Sequence, residues 1–309
     1  MTGVFLTTLS KVSVLLIFIG IGYLLRRTKK LPDNAGKVLS LLTTLIFSPA
    51  YSIKNLSDSL TLDKIGSQSL LIGYGLICVL LTIGFAFLMA KLMAKNDFER
   101  STYRYAFSIP NYGYFGYPLI EGVFGQSVLA DIMVFSLPLG IACNTYGYLL
   151  FAKNEKLTVK KILSMPLILG VALGAIIGLS GITLPTVVDD VLTAAGNCMS
   201  PASMLLAGFV LGGFHFLDLL KGVKPYALSA IRLIGIPALF AGLCLLVGIR
   251  GAYLAYPIML FCMPLGLNLV VFPESLGIDA GDNAKLCFVC NLLTLVVLPP
   301  IFAILSQIM

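Results

Sequence analysis

Ser108-Ile109-Pro110-Asn111-Tyr112-Gly113-Tyr114-Phe115-Gly116-Tyr117-Pro118 cuts across an otherwise good apolar helix, and Cys262-Met263-Pro264-Leu265-Gly266-Leu267-Asn268, with Pro273 beyond it, cuts across a second. Proline removes a backbone donor and its ring clashes with the preceding turn, so neither stretch can stay a regular helix throughout. Unpaired backbone at membrane depth survives only when it is buried in protein or lines a cavity. One such proline reads as a kink in a packed helix. Two, in corresponding places and each with an asparagine and glycines within about a turn, read as a binding site built at a pair of broken helices.

The correspondence extends outward from the breaks. Ser48-Pro49-Ala50 returns as Ser200-Pro201-Ala202; Pro110 follows Pro49 by 61 positions and Pro264 follows Pro201 by 63. The chain reads as one unit written twice, residues 1–153 and 154–309, and such duplication points to a transporter.

The medium follows from composition. Apolar residues make up 58% of the 309, charged residues 11%, and the mean hydropathy is +0.98. Runs of about 20 apolar residues cross a hydrocarbon core of roughly 30 Å, and they recur along the whole chain, leaving no soluble domain. Nothing resembles a cleavable signal peptide, so the first run is a retained span. The spans are placed at 6–25, 38–56, 68–92, 103–121, 128–152, 161–180, 187–213, 225–248, 252–273 and 284–307. They are continuously apolar over helical lengths, whereas barrel strands alternate over about 10 residues. The fold class is all-α and polytopic, with ten transmembrane helices.

Lysine and arginine set the orientation. Arg26, Arg27, Lys29, Lys30 and Lys37 follow the first span, Lys91, Lys95, Arg100 and Arg104 the third, and Lys153, Lys156, Lys160 and Lys161 the fifth. The intervening loops carry Lys54 and Lys64 against Asp58 and Asp63, then Glu121 and Asp131, then Asp189 and Asp190, then Arg250. The odd loops therefore face the cytoplasm and both termini face outside. This bias accounts for the net charge of +7 without a nucleic-acid partner. Five spans per half is an odd number, so the second repeat is inverted relative to the first, the arithmetic of alternating access.

The Pro110-Asn111-Tyr112-Gly113 stretch with Gly116 and Pro118, and the Pro264 to Pro273 stretch leading into Asn291-Leu292-Leu293-Thr294-Leu295 and Pro299, resemble the auxin efflux carrier family. That family includes plant auxin exporters and bacterial permeases for malate or malonate. The short central loop is similar to that of prokaryotic members. The resemblance implies a fold shared with bile-acid and sodium/proton carriers, in which the fourth and ninth helices unwind and cross near the midplane. Spans 1, 2, 6 and 7 would form a scaffold, and 3–5 and 8–10 a mobile, elevator-like transport domain. Pro110 and Pro264 would mark the crossover, and Asn111, beside the first crossover proline, would line the substrate site. Asn268 departs from a strict copy, lying four residues after its proline rather than one.

Physical chemistry supplies a substrate class. Each new helix N-terminus carries free N–H groups and a partial positive charge, which suits a carboxylate. The expected cargo is a small organic anion, a mono- or dicarboxylate such as malate or malonate, or an auxin-like carboxylate. Asn111 and Asn268 would donate amide N–H groups without burying a fixed charge. Gly113, Tyr112, Asn144, Thr145, Ser48 and Ser200 are further site candidates, although a serine beside proline often bonds its own helix.

Lys11 and Arg232 are expected to snorkel from the span ends, with attraction of an anionic substrate as the alternative for Arg232. Glu121 and Glu274 follow the two breaks and default to solvated carboxylates, with a role as proton carriers as the alternative. Sodium held by unwound carbonyls, proton coupling, and uncoupled transport driven by the membrane potential all stay open as coupling schemes. No cofactor is called for. The seven cysteines are read as small apolar groups without disulfides, and Cys287-x-x-Cys290 with one histidine, His215, in the chain does not make a zinc or redox site. An intramembrane enzyme lacks its nucleophile, base or ligands; a channel or ligand-sensing receptor is the competing class. Whether the scaffold pairs two copies into a homodimer is open.

Overall fold

A computed structural model describes residues 1–62, 65–152 and 164–309. The basic loop Lys153 to Lys161, the repeat boundary within it, the Asp63/Lys64 pair and the Glu274 side chain lie outside the described residues. The regular structure among the described residues is helical, its main elements in chain order α1 (Thr2–Arg27), α2 (Ala35–Ser59), α3 (Ile65–Met93), α4 (Asp97–Ser108), α5 (Tyr117–Phe124), α6 (Gln126–Phe135), α7 (Leu137–Gly147), α8 (Pro166–Ser180), α9 (Thr186–Leu211), α10 (Lys224–Leu246), α11 (Ala252–Phe261), α12 (Asn268–Ser275) and α13 (Gly281–Leu305), with one helical turn, Phe216–Leu219, between α9 and α10.

Six of these, α1, α2, α3, α9, α10 and α13, are continuous, long and apolar enough to cross a membrane. Many of their leucines, isoleucines and valines lie uncovered, Leu24 on α1 and Leu80 and Leu92 on α3 among them, as does Ile176 on the shorter α8. So much exposed apolar surface suits lipid and not water. The protein is therefore a multi-pass membrane protein. Span 5, expected as one continuous helix, is two: α6 and α7 meet at 52°. The cause was in the sequence, since Pro138 stands at the start of α7 and cannot continue the ladder from α6.

Prolines re-register the helices without breaking them at three further points. Pro49, Pro118 and Pro237 each follow a five-residue π turn, Thr43–Phe47, Tyr112–Gly116 and Ile231–Gly235. The N–H groups of Ser48, Tyr117 and Ile236 reach back five residues, to the carbonyls of Thr43, Tyr112 and Ile231. One wide turn absorbs the donor that proline lacks.

Small residues set the closest packing, as in other membrane helices. A Cβ on Gly22 of α1 would sit 2.1 Å from the Leu205 carbonyl oxygen, and one on Gly208 of α9 would sit 1.9 Å from that of Ile19. The same device joins α8 to α2, where Gly170, Gly174 and Gly178 lie on the backbones of Pro49, Ile53 and Leu60. The outer ends are tied electrostatically, with the Lys54 ammonium 2.6 Å from Asp189 and 3.2 Å from Asp58.

The two interrupted segments meet at their breaks. Pro110 and Leu265 form an isolated antiparallel bridge, and the Asn111 N–H donates to the Pro264 carbonyl at 2.8 Å.

Candidate functional site

Local chemistry explains the first break. The residue before a proline is driven out of the helical region, and Ile109 is extended at φ −117°, ψ 106°. α4 therefore ends at Ser108, and the chain resumes as helix only at the Tyr112 π turn. In the second break α11 ends at Phe261 and α12 starts at Asn268.

Four successive carbonyls of the second break, Met263 to Gly266, accept from other elements. Arg232 Nε donates to Met263 at 3.2 Å, the Asn111 N–H to Pro264, Asn291 Nδ2 to Leu265 at 3.4 Å, and the Cys287 thiol to Gly266 at 3.6 Å. This settles the local roles of two residues. Asn291 belongs to the breakpoint although it was read only as part of a family motif, and Cys287 is a hydrogen-bond donor rather than a mere apolar filler.

The residues that follow the two breaks share a cavity. Asn111 to Tyr114 and Gly266 to Asn268 line one cavity of about 600 Å³, and the first N–H groups of α12 are partly taken by the chain just before them, Leu269 by Gly266 O at 3.1 Å and Val270 and Val271 by Leu267 O at 2.8 and 3.0 Å. That volume lies in the range of small-molecule sites. Pro110, Tyr112, Gly113, Asn144 and Ser48 line it as well. Gly113 offers open space, since a Cβ there would meet nothing within 4 Å. The rest of the wall is apolar, from Leu167, Val171 and Ala175 of α8 and from Ile72 and Leu76 of α3. Among the described residues no acid, lysine, arginine or histidine lines this cavity.

Other expected positions differ. Pro264 is not part of the lining; its carbonyl holds Asn111 in place. Ser200 lines a second, smaller cavity of about 230 Å³ with Lys11 and Glu121, and its hydroxyl donates to the Tyr114 carbonyl at 3.0 Å, not to its own helix. Asn144 Nδ2 does bond its own helix, at Gly140 O, 2.9 Å, and Thr145 likewise bonds Ile141 O at 2.7 Å and stands outside the lining. Asn268 Nδ2 approaches the Cys143 sulfur at 3.7 Å.

Arg232 corrects the snorkelling expectation. Its side chain is 0% exposed and lies against the crossing, donating from Nε to Met263 O and from Nη1 to Phe107 O, each at 3.2 Å. The π turn preceding Pro237 sits at this residue and sets its direction. Sequence position alone placed it near a span end, and nothing there signalled two carbonyl ends waiting for it.

Sequence reasoning also missed an aromatic wall. Tyr51, Tyr105, Tyr114 and Tyr117 line the cavity together with Tyr112. Tyr51 and Tyr117 stack at 6.0 Å and 12°, and Tyr112 meets Tyr117 edge-on at 5.6 Å. Ser136 and Pro138 join them through the bend between α6 and α7. Tyr51 lines both cavities and separates them.

The chain is similar along its length to known proteins. A profile described as membrane transport protein matches residues 7–162 and 153–302. An uncharacterized transporter of Methanothermobacter thermautotrophicus is 23% identical over 304 residues, covering 96% of this chain and 98% of that protein. With two interrupted helices meeting over a membrane-embedded cavity and a family match across both halves, the chain belongs to the membrane transport protein family, that of the auxin efflux carriers.

Proposed function

We propose that this protein is a secondary active carrier that moves a small organic anion across the cell membrane by alternating access. In this reading ten helices form two inverted five-helix repeats, residues 1–153 and 154–309, with both termini outside. The observation that carries it is the convergence of two helix N-termini and the Asn111 and Asn268 side chains on one cavity. Free N–H groups and positive helix ends favour a carboxylate, and neutral amides hold it without a fixed charge that would trap it.

The glycine contacts support a scaffold of spans 1, 2, 6 and 7. An inverted repeat maps span 1 onto 6 and span 2 onto 7, so the α1 to α9 contact becomes the α8 to α2 contact, and both are built on glycines. The same scaffold would be the surface through which two copies pair. The mostly apolar, tyrosine-rich wall suits a monocarboxylate with an apolar body better than malate or malonate, whose second charge would find only neutral groups.

A thermal-shift screen of detergent-purified protein against malonate, malate and aryl monocarboxylates tests the substrate class, because a ligand of the folded state raises the melting temperature by mass action. Counterflow in proteoliposomes tests the mechanism. Stabilisation by an arylacetate followed by one-for-one exchange is the expected result. Stabilisation by amines alone, or flux without exchange, refutes the anion or the carrier respectively.

A further inference from the structure

A guanidinium buried within a membrane protein is costly, by several kcal/mol even after relaxation, so something must offset Arg232. Among the described residues no carboxylate is paired with it. The ionisable groups that face it are the Cys262, Cys290 and Tyr105 side chains. What does touch it are carbonyls at two helix ends. Phe107 is the penultimate residue of α4, and Met263 lies just beyond the end of α11. These helices, 12 and 10 residues long, point their C-termini at one spot. Each end carries about half a negative charge, so together they amount to roughly one, which matches a single guanidinium. Among the described residues its Nη2 has no hydrogen-bond partner.

We propose that Arg232 is the resident cation of the crossing: it neutralises the two converging carbonyl ends, so the protein needs no bound metal cation at that point. The inference rests on the carrier reading only for its consequence, namely that transport does not require sodium there. Its structural content stands separately. Opposite faces of the crossing then divide the work, with Arg232 holding the carbonyl ends and the N–H ends left to the substrate.

The test needs no substrate. Melting temperatures of wild type, Arg232→Lys, Arg232→Ala and Arg232→Met are compared in choline, sodium and guanidinium chlorides at equal, low concentration. Wild type and Arg232→Lys are expected to melt at the same temperature in choline and in sodium. Arg232→Ala is expected to melt lower in choline and to regain several degrees with guanidinium, and part of that with sodium. Arg232→Met, whose side chain fills the space without charge, is expected to stay low in all three. A merely packed arginine predicts the reverse, methionine restoring stability and the ions doing nothing for alanine. If Arg232→Ala does not fold, the lysine and methionine variants decide. Stabilisation of the wild type by sodium over choline, or an Arg232→Met protein as stable as wild type, overturns the proposal. Either failure would leave the carboxylate screen untouched, and failure of that screen would leave this one standing.

Discussion

Replacing Asn111 by alanine separates binding from folding. The hydrogen bonds that Asn111 makes to the protein run through its backbone, the N–H to Pro264 O and the carbonyl from Gly116 N–H at 3.0 Å. Truncating the side chain leaves both intact, and φ −78°, ψ 60° places no strain on alanine. The cost to stability should stay within about 1 kcal/mol, as for substitutions that create no cavity or orphan. Binding is different, because a hydrogen bond to a charged group contributes about 1.5–3 kcal/mol, roughly 10- to 150-fold in affinity. The two effects can be read in one thermal-shift titration. At about 100 times its dissociation constant a ligand stabilises by about 2.7 kcal/mol, whereas after a hundredfold loss the same concentration gives about 0.4 kcal/mol. Asn111→Ala is thus expected to melt like wild type without carboxylate and to show almost no shift with it. Asn111→Asp, of the same size but anionic, should show none at all. A carboxylate shift of wild-type size in Asn111→Ala would mean that the crossing is not the site.

Other substitutions check other parts of the argument. Gly113→Leu places a side chain in open cavity space, so it should abolish the carboxylate shift while leaving the ligand-free melting temperature near wild type; lost folding would contradict the open space found there. Gly208→Ala forces a methyl to within 1.9 Å of Ile19 O, an overpacking expected to cost about 1–3 kcal/mol, whereas Gly73→Ala, which meets nothing, should be neutral; equal melting temperatures would refute the close α1 to α9 contact. Glu99, at the wet end of α4, is held below the ordinary carboxylate range: burial works against this, but the Lys224 ammonium at 2.7 Å and the Lys95 N–H at 2.9 Å outweigh it. A depressed folded pKa contributes stability above the unfolded value and loses it as pH falls through the folded one. Glu99→Gln should therefore melt below wild type at neutral pH and converge with it in acid; a gap independent of pH would show that the ion pair contributes nothing.

Legibility in the sequence followed the range of each physical effect. Apolar length and the prolines act locally, so the membrane class and both breaks could be read directly, as could Asn111 and Gly113 in the cavity wall. The bend at Pro138 was equally local and was passed over, because the span around it was apolar enough to look continuous. Ser200, Asn291 and Arg232 could not be assigned from their own neighbourhoods. Their partners, Tyr114, Leu265, Phe107 and Met263, lie 26 to 125 residues away. The tyrosine wall was hidden for the same reason, since Tyr51 and Tyr105 reach the cavity from helices other than the one that breaks.

The crossing shows why a broken helix in a membrane needs two solutions and not one. Each break creates a carbonyl end and an N–H end, and both ends are polar groups in a medium without water. The carbonyl ends are settled permanently, by Arg232 and, at the second break, by Asn291, Cys287 and the Asn111 backbone. Had the N–H ends been settled the same way, by a buried aspartate for instance, the structure would be more self-sufficient and the cavity would repel an anion. They are instead met in part by backbone carbonyls, Asn111 by Pro264 and Leu269, Val270 and Val271 by Gly266 and Leu267, beside a cavity that no charged group among the described residues lines. A permanent cation on one face and a cavity without charged lining on the other leave the positive helix starts as the groups that, on the proposed carrier reading, an anion would meet. Placing aspartate at Asn268 should therefore raise the ligand-free melting temperature, by setting a negative charge at the positive start of α12, and at the same time eliminate carboxylate binding. An Asn268→Asp protein that melts lower than wild type and still binds would refute the idea that the positive start of α12 faces the cavity.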